Sequence, residues 1–167
     1  LQVDSAVKKI SNYITRKEGE KLNSLVKKDR KKYEEKWNDI KIIIEYGMLS
    51  EDKFFEKSDS FSIYPDTNNN FYTFDELIKN IEKSQTDKDG KTIILYASNI
   101  DEQDSYIKAA ESKGYKVLLL DSPIVPHLIQ KLESKKENIS FARVDSDSID
   151  NLIKKEDNII SKLNDKE

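Results

Sequence analysis

Apolar positions recur along the first half of the chain at helical spacing. Val3, Val7, Ile10 and Ile14 form one stripe, Leu22, Leu25 and Val26 a shorter one, and Tyr33, Trp37, Ile40 and Ile44 a third. Residues three, four and seven apart share one face of a 3.6-residue helix, so each stripe predicts an amphipathic helix. Gly47 is expected to end the third helix. Ser50 is expected to cap a short following one that carries Phe54 and Phe55. These faces need one another, which predicts a helical bundle or coil over residues 1–58.

The period then changes. Phe61 to Tyr64 alternates apolar and polar residues and predicts a short edge strand. Pro65 to Asn70 reads as a loop. Thr73 with Glu76 makes a capping box ahead of Leu77, Ile78 and Ile81. Ile93–Ala97, Tyr115–Leu120 and Ile139–Val144 are apolar runs of strand length. Between them lie two helical stretches, Asp101 to Lys113 closed by Gly114, and one marked by Val125, Leu128, Ile129 and Leu132. Alternating helices and strands predict an α/β fold, a small three-layer α/β/α subdomain over residues 59–150 with a mostly parallel sheet. Residues 151–167 read as a charged tail leading toward a further domain, with Ile153, Ile159, Ile160 and Leu163 hinting at a helix.

Composition narrows the function classes. Of 167 residues, 36% are hydrophobic and 37% charged, so a core forms while much charge lies on helix faces. The net charge of −3, with an isoelectric point near 5.4, argues against general nucleic-acid or acidic-membrane binding. No cysteine is present, which removes disulfides, thiolate metal sites and thiol nucleophiles and fits a cytoplasmic setting. No apolar run approaches the roughly 18 residues that a membrane span requires. The chain starts at Leu1 and its one methionine is Met48, so an excised piece of a longer protein is expected.

Several residues could carry chemistry. Asp145 and Asp147 follow a strand, and with Asp101 or Glu102 they could hold Mg²⁺ for phosphoryl transfer, as in toprim-type domains. Acidic loops are common in a chain with 32 Asp and Glu, so capping and solvation is the stronger reading. Asp87-Lys88-Asp89-Gly90 lacks the later ligands of a calcium loop and reads as a turn. His127, the single histidine, follows Pro126. Val125, Leu128 and Ile129 take the buried face, leaving His127 and Gln130 toward solvent. Trp37 sits in an apolar stripe and reads as core. Four glycines cannot assemble a phosphate-binding loop, and Asp121-Ser122-Pro123, past the end of a strand, reads as a turn.

Four stretches together carry a resemblance. LQVDSAVKKISNYITRK at the amino end, KKDRKKYEEKWNDIKIIIEYGML, IILYASN and GYKVLLLDSPIVPHLIQKL resemble, in that order and spacing, segments of the heat shock protein 90 family. The similarity runs from Leu1 to about Asp150. It implies the carboxyl-terminal part of that family's middle segment, a helical coil followed by a small α/β/α subdomain. The resemblance further implies that the chain transmits ATP-driven conformational change and binds unfolded or partly folded client proteins. Its other partners would be an ATPase domain and a dimerisation domain of the same parent. Gln2 matches a glutamine that approaches the ATP γ-phosphate in the parent. That loop's arginine would lie before Leu1, so no ATPase activity is expected of this chain alone; ATP and Mg²⁺ belong to the parent. His127 and Gln130 match client-contacting positions. The sequence departs from the family by having Ile124-Val125-Pro126-His127 where a large aromatic is common. Asp145 and Asp147 match no functional motif of the family.

Overall fold

The computed structural model describes residues 21–146. The Val3–Ile14 stripe, Gln2, Asp147 and residues 151–167 lie outside them.

Residues 21–28 are helical (α1). A longer helix, α2 (Arg30–Ser50), follows; the Asp29 side chain accepts from the Lys32 amide and caps its first turn. Tyr33, Trp37 and Ile44 are buried as their spacing predicts, and Ile40 is half-buried. Two expectations at the far end of α2 fail. The helix runs through Gly47 to Ser50, so Gly47 is not its terminator. The glycine is needed because Phe54 packs onto it: an added Cβ would lie 2.7 Å from the Phe54 ring. Nor does Ser50 cap α3 (Asp52–Lys57). Its hydroxyl donates back to the Tyr46 carbonyl at 2.7 Å, and Glu51 occupies the cap position, its side chain making no capping bond to the first turn of α3.

Beyond a short 3-10 turn, β1 (Ile63–Pro65) pairs antiparallel with β2 (Phe71–Thr73). The edge strand expected at Phe61–Tyr64 is thus shifted, and its partner was not foreseen. The joining loop folds around the buried Asp66 carboxylate. It accepts from the Asn68 and Asn70 amides at 2.8 and 2.9 Å, and from the Tyr72 hydroxyl at 3.1 Å. The Thr73–Glu76 capping box forms as predicted and starts α4 (Phe74–Ile81).

The remaining elements are β3 (Thr92–Ala97), α5 (Asp104–Ser112), β4 (Val117–Leu119), α6 (Val125–Lys135) and β5 (Ile139–Arg143). Their strands make a parallel sheet in the order β4-β3-β5. Alternate residues of β3 serve two cores. Ile94 joins the larger one, with α2, α3, α4 and α6; Ile93, Leu95 and Ala97 join the smaller, with Ile107 and Ala110 of α5. Helices therefore cover both faces, giving the three-layer α/β/α arrangement. Burial on both faces explains why β3 reads as a continuous apolar run rather than an alternating one.

Ion pairs fasten α2 to the elements that follow it. Arg30 grips Glu76 of α4 with two nitrogens, at 2.5 and 2.8 Å, and donates to the Phe71 carbonyl at 3.0 Å. The Arg30 hydrogen bond holds the Glu76 carboxyl well below the usual range, at about 2. A depressed carboxyl stabilises the fold above its unfolded value of 4.5, and that contribution is lost as pH falls toward 2. The Arg30 and Glu76 side chains are 34% and 44% exposed, so solvent screening leaves a loss of about 1 kcal/mol. Urea melts between pH 6 and 2.5 should show this slope in the parent and a flatter one in Glu76→Gln. Equal slopes would remove the pair from the acid transition.

Candidate functional site

In the order β4-β3-β5 the chain leaves β3 outward to β4 and then returns across it to β5. Such a reversal opens a cleft at the carboxyl ends of β3 and β5, the usual ligand position in open α/β sheets. Here that cleft is closed by its own side chains. Gln103, buried at the start of α5, accepts from the Ser98 and Asn99 amides at 2.8 and 3.0 Å. Asn99 Oδ1 accepts from the Asp101 and Glu102 amides at 3.0 and 3.2 Å. The backbone donors that could have cradled an anion are thereby satisfied within the loop. Sequence reasoning missed Gln103, because an amide after a strand carries no local signal of burial.

Of the acidic residues considered for Mg²⁺, those described have other partners or face solvent. Asp145 accepts from Arg143 Nε at 2.5 Å and is also hydrogen-bonded to the Gln103 side chain; the Arg143 bond is the main cause that holds its carboxyl below the ordinary range. Asp101 and Glu102 are exposed, and Asp147 lies outside the described residues. Among the described residues no group of three or more His, Cys, Asp or Glu is placed to hold a metal ion. Asp87 turns its own loop, accepting from the Asp89 and Lys91 amides at 2.9 Å each.

The loop after β4 both turns the chain and ties it to α2. Asp121 pairs with Lys41 of α2. Ser122 Oγ accepts from the Ile124 amide at 3.3 Å, and the Ser122 carbonyl from Val125 at 3.2 Å, which starts α6. Pro126 sits in the first turn of α6, where its missing N–H costs no helical bond. Val125, Leu128, Ile129 and Leu132 are buried, while His127 and Gln130 are exposed beside one another on the outer face. One residue on, Lys131 turns inward. Its ammonium donates to the Met48 carbonyl at 2.6 Å and pairs with Asp52 at 3.0 Å. The carbonyls at the carboxyl end of α2 are thus capped from α6, by a positive charge at the negative end of the helix dipole. The outward face of α2 carries Ile42, Ile43 and Tyr46, each 44–52% exposed. Among the described residues no helix is long and apolar enough to cross a membrane.

Comparison with known proteins places this geometry among relatives. No protein-family profile matches the chain. The chaperone protein HtpG of Bacteroides thetaiotaomicron is 56% identical over 157 residues, covering 94% of this chain and 23% of that protein. The HtpG of Porphyromonas gingivalis is 47% identical over all 167 residues, 24% of its length. The chain thus spans about a quarter of the length of the curated relatives it matches. Among solved structures, the middle domain of a putative heat shock protein of Plasmodium falciparum superposes with a TM-score of 0.60 at 16% identity. That match covers 81% of this chain and 56% of the other, and it supports the fold.

Proposed function

This chain belongs to the heat shock protein 90 family of chaperones, and we propose that it works as the carboxyl-terminal part of the middle segment, carrying ATP-driven movement and offering a surface to unfolded or partly folded clients. The observation that carries the proposal is the attachment of α2 to α6. At 1.5 Å per residue, the 21-residue α2 is a rod of about 32 Å. It is fastened near its start by Arg30–Glu76, midway by Lys41–Asp121 and at its end by Lys131. A displacement of α2 would therefore carry α6, with His127 and Gln130, along with it.

In this reading the ATPase and dimerisation domains of the parent are the intramolecular partners. ATP and Mg²⁺ act at the parent's nucleotide site, toward which Gln2 contributes. The chain alone is not an ATPase, and the setting is cytoplasmic. At the client surface, His127 and Gln130 supply polar contact without an aromatic anchor. Individual contacts are then weak, and affinity rests on several engaged at once.

The test is an amide-shift titration of the ¹⁵N-labelled chain with a permanently unfolded model protein. Shifts should cluster on Pro126 to Gln130, and His127→Ala with Gln130→Ala should weaken apparent affinity several-fold. A flat titration would leave α6 a transmission element, with clients held elsewhere in the parent.

A further inference from the structure

Glu45 is the feature that neither the fold nor the proposed function uses. It lies on α2, only 5% exposed, where it meets β1 and the β4–α6 loop. Ser122 hydrogen-bonds the carboxyl, yet Oε2 is the one buried side-chain polar atom among the described residues with no hydrogen-bond partner. A buried oxygen left unmatched costs free energy on the order of a hydrogen bond, and more if it is charged. The cavity beside it is lined by Trp37, Lys41, Ser62, Tyr64, Asp121 and Leu128, and its volume is about 10 Å³. That is about the volume one water molecule needs, which rules out an organic ligand.

The charges around Glu45 do not balance. Lys41, one turn earlier on α2, is the cation that acts on it, and Lys41 is already paired with Asp121 of the β4–α6 loop. Tyr64, facing it from β1, is a phenol kept neutral by burial. With Glu45 ionised, two carboxylates share one ammonium, and of the two Glu45 is the one held away from water, while Asp121 stays 44% exposed. With Glu45 protonated, the Lys41–Asp121 pair is balanced and the new O–H can serve as a donor. Burial pushes the Glu45 carboxyl up, against the smaller opposing effects of Ser122 and Lys41.

We propose that Glu45 is a proton-operated latch between α2 and the β4–α6 loop. The protonated carboxyl keeps α2 seated against Ser122. Loss of the proton leaves an unbalanced negative charge that is relieved when the loop moves away and water enters. Because the raised group favours the fold in its protonated form, its contribution is complete below 4.5 and is lost as pH rises through the folded value. The latch is independent of client binding, and its test uses no client.

The experiment follows the Glu45 side-chain carboxyl carbon by NMR in the 167-residue chain from pH 4 to 9, together with the amides of Asp121, Ser122 and Ile124. The ring resonances of His127 are followed in the same samples, so that any change at α6 is read separately from the loop. Glu45 should titrate above 4.5, the three amides should share its midpoint, and that midpoint should vanish in Glu45→Gln. The variant should also unfold at higher urea concentration than the parent at pH 8, with the difference shrinking on acidification. Two results would each overturn the latch: titration of Glu45 at or below 4.5, or loop amides that ignore its midpoint or keep it in Glu45→Gln.

Discussion

Trp37→Ala should cost about 3–5 kcal/mol, a large part of the stability of a domain this size. Trp37 is 2% exposed and sits on the buried face of α2, with its ring 6.1 Å from that of Tyr33. It lines the same narrow cavity as Leu120 and Leu128, so it spans from α2 to the β4–α6 region. Removing the indole deletes transfer free energy and leaves a hole that neighbours fill only in part. Tyr33 has little freedom to follow, since its hydroxyl is committed to the Phe61 carbonyl at 2.5 Å. Urea unfolding monitored by circular dichroism gives the number, with Trp37→Phe as the milder comparison. The effect should extend past α2: backbone amide exchange in α6 should speed up in Trp37→Ala relative to the parent. A cost under 1 kcal/mol, or faster exchange confined to α2, would mean that the rod and the α/β layers are not one cooperative unit. The transmission role would lose its physical basis with that result.

Features fixed by neighbours in sequence were the legible ones. The Thr73–Glu76 capping box needs only residues three apart, so the pattern and the geometry agree. The run at Ile93–Ala97 announces a strand covered on both faces, and the spacing of Val125, Leu128, Ile129 and Leu132 puts His127 and Gln130 outside. What escaped was fixed by distant partners. Phe71–Thr73 is short and half-exposed, and it becomes a strand because Asp66 organises the loop that returns it to β1. Glu45 adjoins Ile44 at the margin of an apolar stripe, and a charged residue there reads as solvated. Only the approach of the β4–α6 loop buries it. The acidic residues past the sheet left a metal reading open beside the favoured one of capping and solvation, because the partners seen here, Arg143 for Asp145 and Gln103 for the loop amides, cannot be paired from sequence.

Gly47→Val should destabilise the fold by about 3 kcal/mol, and Gly47→Ala should also destabilise it, against the direction that helix propensity gives. Alanine inside a helix is favoured over glycine by about 1 kcal/mol, so a propensity argument predicts a gain. The surroundings oppose it. A Cβ at residue 47 would stand 2.7 and 2.9 Å from two Phe54 ring carbons, and that ring cannot swing aside. It is 2% exposed and packed edge-on against Phe61, with centroids 5.3 Å apart. Relief must come from shifting α3 away from α2, which disturbs the junction where Lys131 holds the Met48 carbonyl and Asp52. A double-mutant cycle isolates the cause. In a Phe54→Leu background the nearest ring carbon is absent and the branched side chain can turn aside, and Gly47→Ala should recover part of its intrinsic gain of about 1 kcal/mol. If Gly47→Ala stabilises the parent by that amount, α3 docks more loosely than its packing indicates. The glycine would then be an ordinary helix-interior position with no close contact to protect. If the sign reverses only in the Phe54→Leu background, the α2–α3 junction is a close backbone-to-ring contact, and movement of α2 must carry α3 with it.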